Sequence, residues 1–273
     1  MSRHGFPTPP RNFLDGLRYC HNPLLVAHHF KAARQRRSFI AAITGAPEPE
    51  VKRVIDEIDS DEEFNAEILS RRQEYLGAAP HGTDFMYLVD EWGSQFFPFV
   101  LHYALVRLLK PAIVVETGGT PGSSSAFMLR AMQRNEQGRL VTLDLAALEM
   151  VGRLNTEAEA NWYALMPKTL PPGWIVPEGL RVRQEQVLGD ARETLPGVLE
   201  IYPEIDLFVH DSDHSYDHMT WEMTIAWPHL KPGGILLVDD IYLHNAFYDF
   251  ADQMGLPTLE LYHCFGVLKK PTS

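Results

Sequence analysis

The sequence predicts a doubly wound α/β fold. Its mainly parallel, seven-stranded sheet ends in a C-terminal antiparallel hairpin and follows a helical N-terminal region. Three observations carry this. From about residue 91, short apolar runs rich in branched residues alternate with helical patterns, the rhythm of strands joined by crossover helices. Those runs are apolar throughout rather than at every second residue, as in strands buried on both faces. The first ninety or so residues carry helix signals and no strand pattern.

Each element follows from local chemistry. "NPLLVAHHFKAARQRRSFIAAI" opens with Asn22 as cap and Pro23 at the first helical position, a helix start. "SDEEFNAEIL" places Glu63 three residues after Ser60, the spacing of a capping box. Phe64, Ile68 and Leu69 then fall on one helical face. "TGAPEPE" and "GAAPHGT" read as turns. "SQFFPFVLHYALVRLLK" reads as a buried helix interrupted near its start by Pro98. The expected strands are "AIVVET", "LVTLDL", "LRVRQEQVL", "DLFVHD", "GGILLVDD", "TLELYH" and "FGVLKK", the last two close enough to pair as a hairpin. Between them lie the helices "SSSAFMLRAMQ", "ARETLPGVL", one with Met219, Met223, Ala226 and Trp227 on a shared face, and "YLHNAFYDFADQM". The Pro- and Trp-rich segment Asn161 to Gly179 breaks the rhythm. It reads as an ordered insertion beside the site or as a surface loop packed on its own aromatics.

The 273 residues suffice for one α/β domain with a smaller attachment, divided near residues 90 and 91. Apolar residues make up 45% and charged residues 22%, ordinary for a globular protein. The formal net charge of −12 opposes nucleic-acid binding; the basic "KAARQRR" reads as a solvated helix face. No apolar run is long enough to span a bilayer. The N-terminus has no secretory pattern, and Cys20 and Cys264 stand in no motif. The expected location is the cytoplasm.

Four strand ends carry carboxylates: Glu116, Asp144, Asp211 and the pair Asp239–Asp240. In open parallel sheets ligands bind at that edge. The turn "ETGGTPGSSSAF" lets a ligand approach the backbone at Gly118, Gly119 and Gly122, and Ser123 to Ser125 are candidate caps of the next helix. Thr120 and Pro121 crowd the middle of this turn, so it is not the G-x-G-x-x-G of dinucleotide sites. Asp144 ends the second strand, where a carboxylate accepts hydrogen bonds from ribose hydroxyls.

In order, "VVETGGTPGSSSAF", "VTLDL", "LGDARETLP", "DLFVHDSDHSY" and "LKPGGILLVDDI" resemble a class I S-adenosylmethionine-dependent methyltransferase with a Rossmann-like sheet. The last two motifs, with the hairpin, resemble the metal-dependent branch of O-methyltransferases acting on natural products and sugars. The resemblance covers roughly residues 91 to 273. It implies that Glu116, Gly118, Gly119, Thr120, Ser124 and Ser125 line the donor's methionine end, with Asp211 near the donor. It puts Asp144 at the ribose and Asp190 with Ala191 near the adenine. It further implies that Asp211, Asp239 and Asp240 converge. Three such anions repel unless a cation or protons intervene, and a hard dication, Mg²⁺ or else Mn²⁺ or Ca²⁺, suits oxygen donors.

His214, three residues past Asp211, is the candidate base, with Asp213 as competitor. His210 and His218 are assigned to structure, since His210 faces away from Asp211 if the strand persists and His218 lies inside the following helix. His244 is a further histidine within reach. The expected reaction is O-methyl transfer to a small diol, catechol or sugar. The segment Trp162 to Trp174 and the N-terminal helices would either cover the acceptor or make homo-oligomer contacts. The alternatives are a metal-independent methyltransferase using His214, an NAD-dependent oxidoreductase and a non-catalytic binding module.

Overall fold

The computed structural model describes residues 23–76, 97–145, 170–261 and 264–272. Asn22, Cys20, the "GAAPHGT" turn and Trp162 fall outside them. Four helices come first: α1 (Pro23–Thr44), α2 (Glu48–Asp59), α3 (Glu62–Leu76) and α4 (Phe97–Leu109). The expected capping box is displaced by one residue. Ser60 closes α2, its hydroxyl donating to the Asp56 carbonyl at 2.7 Å, and the Phe64 N–H donates instead to Asp61 Oδ1 at 3.4 Å. Asp61 is itself a good cap, and its other oxygen receives Arg130 and Arg134 at 2.7 Å each. Part of "TGAPEPE" is helix rather than turn, because Pro49 sits in the first turn of α2, where its missing N–H costs no helical bond. For the same reason Pro98 sits within the first turn of α4 rather than interrupting it.

Then follow β1 (Ile113–Thr117), α5 (Ser123–Asn135), β2 (Arg139–Asp144), β3 (Gln184–Leu188), α6 (Ala191–Ile201), β4 (Ile205–His210), α7 (Tyr216–Ala226), β5 (Leu230–Val238), α8 (Ala246–Met254), β6 (Leu259–Leu261) and β7 (Phe265–Lys269). The sheet order is β3-β2-β1-β4-β5-β7-β6. β1 to β5 pair in parallel, and β7 runs antiparallel to both β5 and β6. The chain reverses direction between β1 and β4, which opens a crevice at the carboxyl ends of those strands. One expected strand is shorter than its pattern. Glu178–Arg183 forms a 3₁₀ turn that buries Leu180, so β3 begins only at Gln184.

Successive strand residues alternate between two cores. Val114, Leu207, Val209, Ile235 and Leu237 pack toward α1 to α5, with Ile40, Ile43, Val51, Ile58 and Phe64 in the same cluster. Val115, Phe208, Leu236 and Val238 pack toward α6 to α8, against Met219, Met223, Phe247 and Phe250. The described N-terminal helices therefore share one core with one face of the sheet. Ion pairs bind the same elements at the rim: Glu57 accepts from Arg107 at 2.9 Å and from Tyr103, and lies 3.0 Å from Arg134. Partial burial would raise the Glu57 carboxyl, but those three donors outweigh it and hold it near 2.

Candidate active site

The turn after β1 is built around a buried acid. Glu116 is fully enclosed, on the face of β1 that meets α5. Ser124 donates to its Oε1 at 2.5 Å and Ser125 to its Oε2. These serines brace Glu116; neither caps α5, whose N-cap is Gly122 at φ +104°. Burial raises the Glu116 carboxyl, and the serine bonds pull it back in part. Gly119 lies above this group, where a Cβ would stand 2.9 Å from Ser125 Oγ and 3.0 Å from Glu116 Oε2. Gly118, at φ +79°, meets protein rather than open space: its Cβ would fall 1.9 Å from the Asp211 carbonyl oxygen. The turn and the end of β4 are thus in backbone contact, braced by Gly118 N–H to Leu143 O at 2.9 Å and Asp211 N–H to Thr117 O at 3.0 Å.

At the end of β2 the Asp144 side chain is almost wholly buried and accepts from the Thr120 hydroxyl. Burial pushes its carboxyl up to about 7 against that hydrogen bond, with Glu116 adding repulsion. Asp190 caps α6, accepting from Arg192 N–H at 2.8 Å, and Ala191 is the first residue of that helix. Both follow β3, which pairs with β2 and so lies two strands from β1.

Beneath the end of β4 lies a group that the sequence reading missed. Glu222, on α7, has no exposed surface. Its carboxylate accepts from Thr117 Oγ1 at 2.6 Å, Ser212 Oγ at 2.8 Å, His210 Nδ1 at 2.7 Å and His218 Nε2 at 2.9 Å. Burial would raise this acid, yet the two histidines more than compensate and hold it well below the usual range. His210 and His218 are therefore structural. His210 turns to Glu222, with its ring edge-on to His214 at 5.5 Å between centroids. The available signal was His218 and Glu222 one helical turn apart on α7.

The cleft itself holds Asp211, Asp239, Asp240 and His214. Burial and the charges of Asp239, Asp240, Glu116 and Asp144 push Asp211 well above the ordinary carboxylate range. Asp239 rises to about 7 through burial and then Asp240. Five carboxylates at one rim thus act on one another, as the strand-end pattern required. His214 Nε2 lies 3.8 Å from Asp211 Oδ1 and 3.9 Å from Asp240 Oδ2. That nitrogen is sealed from solvent and has no hydrogen-bond partner. Burial, then neighbouring His210, lowers His214 to about 3, so it is a neutral imidazole at physiological pH. His244 holds the loop below it. Its Nδ1 accepts from Ala246 N–H at 3.3 Å, so its Nε2–H donates to the His214 carbonyl at 2.8 Å. Asp213 accepts from Ser215 N–H at 2.8 Å, and Ser215 caps α7. Asp213 thus shapes the turn into the helix.

The expected triad of metal-holding acids is brought together only in part. Among the described residues the donors lying within 4.8 Å of one another are Asp239, Asp240 and Cys264. Asp211 is outside that group and meets Asp240 across His214. Cys264 gave no sequence signal, because the β5–β7 pairing carries it to the end of β5. The donor chemistry fits a cation: adjacent carboxylates, with Asp240 raising Asp239, beside a buried nitrogen without a partner. Among the described residues no helix is long and apolar enough to cross a membrane.

A mostly parallel sheet with one reversed strand, a glycine turn after β1 and acids at the strand ends make up a Rossmann-like methyltransferase fold. Residues 115–241 match the family model described as "Methyltransferase domain". No curated protein matches the chain at a significant level. Among solved structures, a Klebsiella pneumoniae protein provisionally named an O-methyltransferase is 16% identical, with a TM-score of 0.50, covering 81% of this chain and 95% of that one. The O-methyltransferase TomG from Streptomyces achromogenes, involved in tomaymycin synthesis and solved with S-adenosylmethionine, is 19% identical, with a TM-score of 0.48 and coverage of 78% and 91%. A Bacillus cereus O-methyltransferase with S-adenosylhomocysteine is 15% identical, with a TM-score of 0.46 and coverage of 75% and 89%. At these identities the likeness is one of fold.

Proposed function

We propose that the chain transfers a methyl group from S-adenosylmethionine to a hydroxyl of a small molecule bearing two neighbouring oxygens, such as a diol, catechol or sugar. The observation that carries this is the neutral, unpartnered His214 Nε2 set between Asp211 and Asp240, beside the glycine turn.

In this reading the turn from Gly118 to Thr120 and the Asp144 carboxylate receive the donor, Asp144 through ribose hydroxyls. Asp190 and Ala191 flank the adenine side. Asp239 and Asp240 would hold a divalent ion, which when bound lowers the pKa of an acceptor hydroxyl. His214 Nε2 takes that hydroxyl's proton. The acceptor oxygen then displaces sulfur from the methyl carbon, the C–S electrons passing to sulfur, which leaves a methyl ether and S-adenosylhomocysteine. His214 returns its proton to water. Rate acceleration comes from positioning and charge compensation.

Calorimetry with S-adenosylmethionine and with NAD⁺, then mass spectrometry of a catechol and sugar-diol panel with and without chelator, tests this. Donor binding, a methylated diol and loss of turnover in EDTA are expected. Full turnover in EDTA removes the ion and leaves His214 alone. NAD⁺ binding without S-adenosylmethionine binding refutes the reading.

A further inference from the structure

We infer that Cys264 is the third donor of the cation site, which is then a mixed oxygen–sulfur site rather than one built from Asp211, Asp239 and Asp240. This rests on the divalent-ion part of the proposed function and specifies it further.

The backbone puts the three donors together. Asp240 adopts φ +54°, a left-handed conformation uncommon outside glycine and asparagine. It lets two consecutive acids face one point. The Ile241 N–H donates to the Cys264 carbonyl at 3.0 Å and the Cys264 N–H to Leu261 O at 3.0 Å. Val238 pairs with Gly266 across the sheet. Together these seat Cys264 Sγ 3.2 Å from Asp239 Oδ1 and 3.6 Å from Asp240 Oδ1. All three residues are partly exposed, so an ion can enter. Asp211 does not belong to the convergent set.

A second observation points at a ligand here. The sealed His214 Nε2, without a partner, lies 3.9 Å from Asp240 Oδ2. A buried polar nitrogen without a hydrogen bond costs roughly 1–3 kcal/mol, and one facing Asp240 leaves room beside the ion for a bound hydroxyl to meet it. Two carboxylate oxygens and one sulfur make a borderline set. Such a set prefers Mn²⁺, Co²⁺ or Zn²⁺ over Mg²⁺, which favours oxygen alone.

Co²⁺ is the probe, because thiolate coordination adds a sulfur-to-metal charge-transfer absorption in the near ultraviolet. The full chain is titrated with Co²⁺ by calorimetry and absorption. Expected are binding with that band, its loss in Cys264→Ser with affinity about tenfold or more lower, and loss of band and binding in Asp239→Asn. Asp211→Asn should keep the band, with affinity within about threefold of the parent. Co²⁺ bound without the band overturns the role of Cys264 and leaves the ion in place. A band surviving Cys264→Ser assigns the sulfur to Cys20 and also overturns it. Failure of the parent chain to bind Co²⁺ refutes the cation site altogether, a result separable from donor binding and methyl transfer.

Discussion

Gly118 and Asp211 are in such close contact that a Cβ on Gly118 would stand 1.9 Å from the Asp211 carbonyl oxygen. The glycine therefore serves the junction of β1 with β4 before it serves any ligand. Gly118→Ala combines a left-handed φ with a backbone clash. It should cost roughly 3 kcal/mol or more, a fall in Tm of roughly 6–12 °C, and abolish donor binding. A thermal scan showing a shift below about 2 °C contradicts this contact.

Glu222 is the second structural dependence. Glu222→Gln presents an amide N–H₂ to groups that already donate, leaving Thr117, Ser212, His210 and His218 short of acceptors. The expected loss is about 3–5 kcal/mol, against about 1 kcal/mol for Thr117→Val, both read from urea denaturation midpoints. A Gln variant as stable as the parent would mean that the four bonds do not anchor the β4 end.

Donor binding should depend on pH through Asp144. Its folded pKa of about 7 lies above the ordinary 3.8. The stability it contributes is therefore full below about pH 4 and lost as pH rises through about 7. Donor hydroxyls that hydrogen-bond the ionised carboxylate favour that ionisation. S-adenosylmethionine affinity should rise from pH 6 to 8, by at most about tenfold per unit, and Asp144→Asn should be weaker and flat. A parent profile that is flat over that range removes Asp144 from the donor site.

The sequence showed most of the frame and only part of the chemistry. The strands and the hairpin followed from apolar runs ending in acids, because burial on both faces writes itself into continuous hydrophobicity. The acidic rim was visible for the same reason. Glu222 was not, since a buried carboxylate inside a helix looks like a solvated one until His210 and Thr117 arrive from other strands. Cys264 depended on a pairing across β7, and the division of Asp211 from Asp239 and Asp240 on distances that no spacing encodes. The helix-start error at Ser60 came from neighbouring Asp61, which caps equally well, and that at "TGAPEPE" from Pro49, which a helix accepts in its first turn.

His244 is a positioning residue for the loop that carries His214. His244→Ala removes the 2.8 Å bond to the His214 carbonyl without touching the imidazole above it. kcat should fall about tenfold with the KM for S-adenosylmethionine unchanged, and Asn, which keeps an N–H₂ donor, should recover part of the loss. A raised donor KM at unchanged kcat would place His244 in binding instead.

The shared core makes the boundary near residue 90 one of sequence pattern, not of folding. Expressed from residue 91 onward, the domain would lose Ile40, Ile43, Val51 and Phe64 from the apolar cluster, baring the sides of α4, α5 and β6 they pack against. A bare aliphatic flank of that kind adheres to its own copies, so such a fragment should accumulate as aggregate. Catalyst and preceding helices thus persist or perish as one object.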